Sequence, residues 1–302
     1  MPTPASEAGS IAVRLRDTLA ALPRSERSVA RTLLNAYPIA GLGTLAELAT
    51  RSGVSTPTVL RLLTRQGFEG FTDFQRALHV EVNERLANVY EDCQGRPSGE
   101  HSVGVALLLK ASAALEATVQ AFTEDEFAAV VRLLADPRLT VYAVGGAFSQ
   151  SLALLLSLHL GVLRPRVQSL PYGSAELTGA LAQAGKRDVL VMYDFRRYSD
   201  SSLTVARHFA ERGGHIALVT DRWLSPVAPH AECVLVARTE SAAPFDSLTA
   251  ATALTEALVA GVSALLETDG RARAEAIARL DDAIAEEPRA GSIASERGEG
   301  LR

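Results

Sequence analysis

Leu45-Ala46-Glu47-Leu48-Ala49-Thr50-Arg51-Ser52-Gly53-Val54-Ser55-Thr56-Pro57-Thr58-Val59-Leu60-Arg61-Leu62-Leu63 reads as two short helices broken by a glycine turn. Small Ala49 falls where two helices cross closely, Gly53 supplies the turn, Val54 plugs the interface, and Val59 with Leu62 anchors the second helix. This is helix-turn-helix spacing. Ser55 suits the N-cap of the second helix and Pro57 is tolerated in its first turn, which leaves Thr56, Thr58, Arg61, Thr64 and Arg65 to face outward. Residues 48–68 hold three arginines and no carboxylate, a charge balance that suits a phosphate backbone. Arg51, Ser55, Thr56, Thr58, Arg61, Thr64 and Arg65 are therefore the candidate contacts to double-stranded DNA. A three-helix packing module that touches no nucleic acid uses the same corner, and the motif alone leaves that alternative open.

Around this stretch the first 90 residues keep helical periodicity, and Leu22-Pro23, Tyr37-Pro38, Gly41, Gly53, Gly67 and Gly70 are expected to cut them into short helices. Beyond residue 140 the texture changes to β-rich runs at 140–144, 166–170, 188–193, 215–220 and 233–237, separated by helical segments. That alternation predicts an α/β doubly wound, flavodoxin-like, five-stranded parallel sheet, so the chain is a multi-domain protein. The expected division is a helical DNA-binding domain at 1–90, a linker at 91–104, an α/β domain at 105–285 and a disordered polar tail at 286–302.

Charge follows the same division. Residues 1–90 carry 10 arginines against 8 carboxylates, whereas the remainder carries 20 basic against 27 acidic residues. The 302 residues are ample for two cores, and their balance of apolar and charged residues excludes wholesale disorder. Cys93 and Cys233 cannot make a four-ligand zinc site or a disulfide framework. Residues 1–17 lack a basic head followed by an apolar run, and the most apolar stretch, 147–163, holds Ser149, Gln150, Ser151, Ser157 and His159. A cytoplasmic protein without a membrane partner is expected.

In an open parallel sheet, ligands bind beyond the carboxyl ends of the strands where the strand order reverses. The first strand here ends in Gly145-Gly146-Ala147-Phe148-Ser149-Gln150, and the third in Asp194-Phe195-Arg196-Arg197-Tyr198-Ser199-Asp200-Ser201-Ser202. Candidate ligand contacts are Gly145, Gly146, Ser149, Arg196, Arg197, Ser199, Ser201 and Ser202, with Glu176 after the second strand. Gly145-Gly146 also suits a plain strand-to-helix turn. Neither G-x-G-x-x-G nor G-x-x-x-x-G-K-[ST] occurs, so a dinucleotide or nucleoside triphosphate loses its main support and no cofactor or metal is expected.

With Leu22-Pro23-Arg24-Ser25-Glu26-Arg27-Ser28-Val29-Ala30 upstream and Gly67-Phe68-Glu69-Gly70-Phe71-Thr72-Asp73-Phe74 downstream, the first half resembles the RpiR family of bacterial transcriptional regulators. Phe68, Phe71 and Phe74 are then expected to pack a short terminal helix beneath the motif. Gly145-x-Ala147-x-Ser149, the run from Gly213-Gly214-His215 through Asp221 with Ser225-Pro226, and Phe245-Asp246-Ser247 make the second half resemble the sugar isomerase, or SIS, domain such regulators carry. The resemblance implies a homodimer or higher homo-oligomer that binds phosphosugars, with Ser149 at a phosphate-binding serine. The third-strand loop departs from the family's Ser-x-Ser-Gly-x-Thr pattern, having Phe195-Arg196-Arg197-Tyr198-Ser199-Asp200 instead. Adjacent guanidiniums favour a small anionic effector, carboxylate or compact phosphorylated metabolite, unless Arg196 and Arg197 pair with Asp194 and Asp200 or cross a dimer interface.

The expected function is a ligand-responsive, DNA-binding transcriptional regulator and not an enzyme. The rival is a phosphosugar isomerase with a helical extension, which needs a positioned base; Glu176, His159, His208, His215, His230 and Glu256 are the candidates, and no two of them stand in a recognisable pair. His159, on an apolar helix, is expected to be an interior or interface residue, with His215 and His230 facing solvent.

Overall fold

The computed structural model describes residues 10–35, 37–86, 102–241 and 245–286. The expected linker at 91–104 falls mostly outside them, as do Cys93 and all of the expected tail but residue 286.

Six helices build the first half: α1 (Ile11–Thr18), α2 (Arg24–Asn35), α3 (Ile39–Leu42), α4 (Leu45–Ser52), α5 (Thr56–Arg65) and α6 (Phe71–Leu86). Helix α4 starts at a reciprocal cap, in which Thr44 Oγ1 accepts from the Glu47 N–H at 3.2 Å and Glu47 Oε2 accepts from the Thr44 N–H at 2.7 Å. It ends where Gly53 takes φ 66°, a left-handed conformation that costs glycine little, and the next N–H, of Val54, closes on the Ala49 carbonyl. Ala49, Val59, Leu62, Leu63 and Phe74 form the core between α4, α5 and α6 as the spacing predicts. Two expectations fail here. Gly41 does not stop a helix but lies inside α3, where a Cβ would sit 2.6 Å from Leu78 Cδ2 and 2.9 Å from the Phe74 ring. The terminal helix is not short either, since α6 runs 16 residues.

The second half opens with α7 (Val103–Gln120) and α8 (Glu124–Ala135) and continues as β1 (Thr140–Gly145), α9 (Gln150–Leu163), β2 (Val167–Ser169), α10 (Ala175–Gln183), β3 (Asp188–Asp194), α11 (Asp200–Glu211), β4 (His215–Thr220), β5 (Cys233–Val236) and α12 (Thr249–Glu286). The strands are all parallel in the order β2-β1-β3-β4-β5, with Gly145 beside Tyr193 and Thr220 beside Asp194 at the carboxyl ends. The order reverses between β1 and β3. Helices α8, α9 and α12 bury Leu134, Leu156 and Leu258 against one face of the sheet, and α11 with the segment after β4 buries Phe209 and Val227 against the other. Arg164, itself buried, donates to the Leu134 carbonyl in the last turn of α8 and to the Leu139 carbonyl just beyond it, and its burial pulls its pKa down.

By length and composition alone, α7 and the 249–284 stretch of α12 are apolar enough to cross a bilayer. In this fold α12 packs Leu258 and Val262 into the core, while α7 buries Ala114 and Thr118 and leaves Val103, Leu108 and Val119 exposed.

The two halves touch through α1, Leu34 and Tyr37: Ala12, Val13, Leu34 and Tyr37 join the core cluster of Phe209, Leu224 and Val227. Arg16 on α1 pairs with Glu126 on α8 at 2.9 Å, and the other Glu126 oxygen accepts from the Val234 N–H. Glu81 on α6 accepts from the Ile11 N–H at 2.7 Å and from the Tyr37 hydroxyl. Burial, outweighing those two hydrogen bonds, raises the Glu81 pKa above the ordinary 4.5. A carboxyl whose pKa is higher folded than unfolded stabilises the fold below its unfolded value, and that contribution is lost as pH rises through the folded value. Denaturation followed from pH 4 upward is therefore expected to show a loss of stability above 4.5 that Glu81→Gln flattens; an unchanged pH slope in that variant would contradict the assignment.

Candidate nucleic acid interface and ligand cleft

Helix α5 presents Leu60, Arg61, Thr64 and Arg65 to solvent, with Arg51 exposed at the end of α4 and Ser55 exposed at the start of α5. Ser55 takes the N-cap position, but its hydroxyl lies 3.1 Å from Thr58 Oγ1 and makes no capping bond to the backbone. Thr56 is half-buried. Thr58 departs from expectation: it is only 5% exposed, and Arg61 Nη2 donates to its hydroxyl at 3.0 Å. It stands on the inner side of the first turn, so it aims Arg61 and does not itself face outward. Arg65 is exposed yet tied by Nε to Glu26 on α2 at 2.9 Å, and Glu26 is itself buried. Spacing along one helix could not reveal that clamp, because its partner lies 39 residues away. Arg51, Ser55, Arg61 and Thr64 are exposed polar groups on this face with no bond to a carboxylate among the described residues.

At the carboxyl ends of β1 and β3 lies a cleft of about 470 Å³. Gly146 and Ser149 from the first loop line it, with Arg196, Arg197, Ser199, Ser201 and Ser202 from the third. Gly145 sits beneath it: a Cβ there would fall 2.4 Å from the Ser149 carbonyl oxygen, so the chain can turn this tightly only without a side chain. Glu176 does not line the cleft; it is exposed on the first turn of α10, while Tyr172, in the turn just before, takes the place next to the site.

The polar groups of the two loops largely satisfy one another. Ser149 Oγ accepts from the Gly146 N–H and donates to the Tyr193 carbonyl, both at 2.8 Å, and Gln150 Oε1 accepts from the Gly145 N–H at 2.9 Å. Ser199 Oγ accepts from the Ser201 and Ser202 N–H groups, capping α11. Asp194 is buried and accepts from the Ser202 and Ser225 hydroxyls. Burial, with a further push from Asp194, holds the Tyr172 hydroxyl up at about 12 against a hydrogen bond with Ser202, so it stays protonated.

The two arginines part company. Arg196 forks onto Asp246, Nε to Oδ2 at 3.1 Å and Nη2 to Oδ1 at 2.6 Å, and its guanidinium lies 5.2 Å from the Trp223 ring centre. The fork thus goes to Asp246 and not to Asp194 or Asp200, the partners of the alternative reading. Arg197, at φ 69°, points to solvent and makes no ion pair among the described residues. Phe148 and Phe245 meet at the mouth with ring centres 5.9 Å apart, although they are 68% and 53% exposed. Sequence reading left Tyr172, Phe245 and Asp246 out of the site, because only the folded chain brings those segments to β1 and β3.

None of the six candidate bases lines the cleft. His159 and Glu256 are exposed on outer helical faces, which corrects any interior placement of His159. His208 reaches the Leu181 carbonyl, His215 pairs with Glu232 at the amino end of β4, and His230 lies beyond β4 at the groove between the two halves. Among the described residues no cluster of three or more His, Cys, Asp or Glu is placed to hold a metal ion. The remaining described thiol, Cys233, is buried and pushed up to about 11, mainly by burial.

Comparison with known proteins accords with both halves. The helix-turn-helix domain model of the rpiR family matches residues 9–85, and the SIS domain model matches residues 133–261. Among solved structures, the sugar isomerase domain of an RpiR transcription factor from Sphaerobacter thermophilus is 27% identical, covering 61% of this chain and 99% of that one, with a TM-score of 0.55. The Vibrio vulnificus NanR protein, complexed with ManNAc-6P, covers 90% of this chain and 98% of its own at 17% identity and a TM-score of 0.51. A putative sugar-phosphate isomerase from Listeria monocytogenes covers 56% of this chain and 92% of its own at 16% identity and a TM-score of 0.50. No curated protein matches.

Proposed function

From a chain that belongs to the RpiR family, joining an rpiR-type helix-turn-helix domain to a SIS domain, we propose a transcriptional regulator that reads an operator with α5 and senses a small anionic metabolite in the β1/β3 cleft. One observation carries this reading: a basic recognition helix stands outward on one domain, and the other holds a formed cleft at its strand switch point with none of the candidate bases lining it. The absence of those bases favours sensing over isomerisation. The NanR protein is complexed with ManNAc-6P, which is consistent with an anion as the effector class here.

Ligand response needs a physical connection between the halves. Asp221, just after β4, accepts from the Arg196 N–H, the Tyr198 hydroxyl and the Trp223 N–H. The Trp223 ring lies 4.5 Å from the Arg222 guanidinium, whose charge acts on Glu81 of α6. A shift of the third-strand loop thus has a packed route to the helix that holds α1 and Tyr37.

Val103, Leu108 and Leu109 on α7 and Leu154 and Leu158 on α9 are exposed apolar side chains that a second copy would cover, giving a two-fold dimer with paired recognition helices. The protein then acts in the cytoplasm, with domain limits close to 1–90 and 105–285. Selection from a random duplex DNA pool at 150 mM salt, combined with light scattering, tests this. A two-fold symmetric site with half-site centres about 34–36 Å apart, or a multiple of that, and a dimeric mass at micromolar concentration are expected. A monomer, or a pool without enrichment, would refute it.

A further inference from the structure

We propose that the groove between the two halves is a second ligand site, separate from the β1/β3 cleft, and that it takes an alkyl or aryl phosphate. The groove encloses about 660 Å³ and is walled by α1 and α2 on one side and by α11 and the segment after β4 on the other. Each side brings an arginine, Arg31 on α2 and Arg207 on α11, and His230 adds an imidazole from the segment after β4. Arg31 and Arg207 are exposed and make no hydrogen bond or ion pair among the described residues.

Charge selects an anion there. Among the described residues no carboxylate lines the groove, and Arg16, its third arginine, is already matched by Glu126. Two guanidiniums, one from each half, are left for a ligand. A carboxylate is planar and is filled by a single guanidinium fork, whereas a phosphate ester turns its oxygens in several directions and can meet a cation on each side. A ligand held in this way ties the recognition half to the sheet half.

The rest of the lining is mostly apolar. Leu34 and Tyr37 belong to the first half and Leu203, Leu224 and Pro229 to the second, and the Tyr37 hydroxyl is taken by Glu81, which leaves its ring for the groove. Concave sites between domains that join apolar walls to a few placed polar groups are where small ligands bind. An alkyl chain or aromatic ring buried there leaves water, a gain that inorganic phosphate lacks. Ser225 also lines the groove, and its hydroxyl donates to Asp194, which lines the cleft; Asp221, earlier in the same segment, accepts from the Arg196 N–H. Residues 221–225 are thus a wall between the two sites, and Trp223 stands within it beside Arg196.

The test titrates the full-length protein with hexyl phosphate and phenyl phosphate, against inorganic phosphate and 1-hexanol, at constant ionic strength. Calorimetry is run beside the emission of Trp223, the sole tryptophan. Both esters are expected to shift that emission and to bind at least about tenfold more tightly than inorganic phosphate or hexanol. Arg31→Ala and Arg207→Ala should each weaken this binding about tenfold or more, whereas Arg197→Ala, at the cleft, should leave it in place. No binding by either ester, inorganic phosphate held as tightly as the esters, or an ester affinity that survives both groove variants would overturn the proposal. Loss of all ester binding in Arg197→Ala would overturn it too, by moving the ester into the cleft. Arg31 and Arg207 are surface side chains, and circular dichroism verifies that the variants fold.

Discussion

Arg61→Ala lowers affinity for the selected operator by about 10- to 100-fold, the loss expected when one forked base contact worth roughly 1–3 kcal/mol is removed. The expectation comes from position: Arg61 is exposed in the middle of α5, and the buried Thr58 hydroxyl holds its guanidinium one turn back, so little conformational freedom remains to be lost on binding. Thr58→Val, which removes that hydroxyl without reaching DNA itself, is expected to cost less and to leave the preferred sequence unchanged. Arg65→Ala is expected to have the smaller effect of the two arginine variants, since Arg65 already spends Nε on Glu26. Arg51→Ala should lower affinity evenly across sequences and reduce the salt dependence by about one phosphate contact. Fluorescence anisotropy across a salt series measures all four. An Arg61→Ala protein that binds as tightly as the parent at 150 mM salt would move the reading face off α5.

Gly145→Ala collapses the ligand cleft and lowers the melting temperature, whereas Gly146→Ala, one residue on, does neither. A Cβ on Gly145 would come within 2.4–2.6 Å of the Ser149 carbonyl and the Gln150 nitrogen, all backbone atoms that no rotamer change can move away. At Gly146 the nearest atom to a Cβ is Ser149 Oγ at 3.6 Å, an ordinary contact. Overpacking of this kind costs about 1–3 kcal/mol, which is roughly 2–10 °C in a domain of this size. Effector response should vanish in Gly145→Ala while operator binding at low temperature persists, because the turn lies in the sheet domain and the recognition helix in the other. Equal melting temperatures for the two alanine variants would show that the β1 to α9 turn relaxes freely.

The two glycines look alike in the sequence, and the same limit recurs elsewhere. The helix-turn-helix was legible because its signals are local: Thr44 with Glu47, Gly53, Pro57 and the apolar spacing of Val59 and Leu62 all act within a turn or two. The five strands and their alternation with helices were legible for a similar reason, since apolar β-branched runs report burial on both faces of a sheet. Gly41 misled because a glycine that breaks a helix and a glycine that lets Phe74 approach one are written identically.

Within the site, the two loops were legible from topology, as parallel strands and right-handed crossovers leave one switch point, between β1 and β3. Their chemistry was not. Arg196 and Arg197 are neighbours in sequence, yet one is held by Asp246 fifty residues away and the other is open to solvent at φ 69°. The sequence by itself determined a helical half and an α/β half, their secondary structure, the helix-turn-helix and the end of the sheet at which the cleft opens, because each follows from short-range periodicity and steric rules. Only the tertiary structure decided which of those polar groups are already spent, burying Thr58, clamping Arg65 to Glu26, matching Arg196 with Asp246 and bringing Tyr172 and Phe245 to the cleft. Hydrogen bonds and ion pairs between distant segments carry no period, so they exist only once hydrophobic burial has brought those segments together.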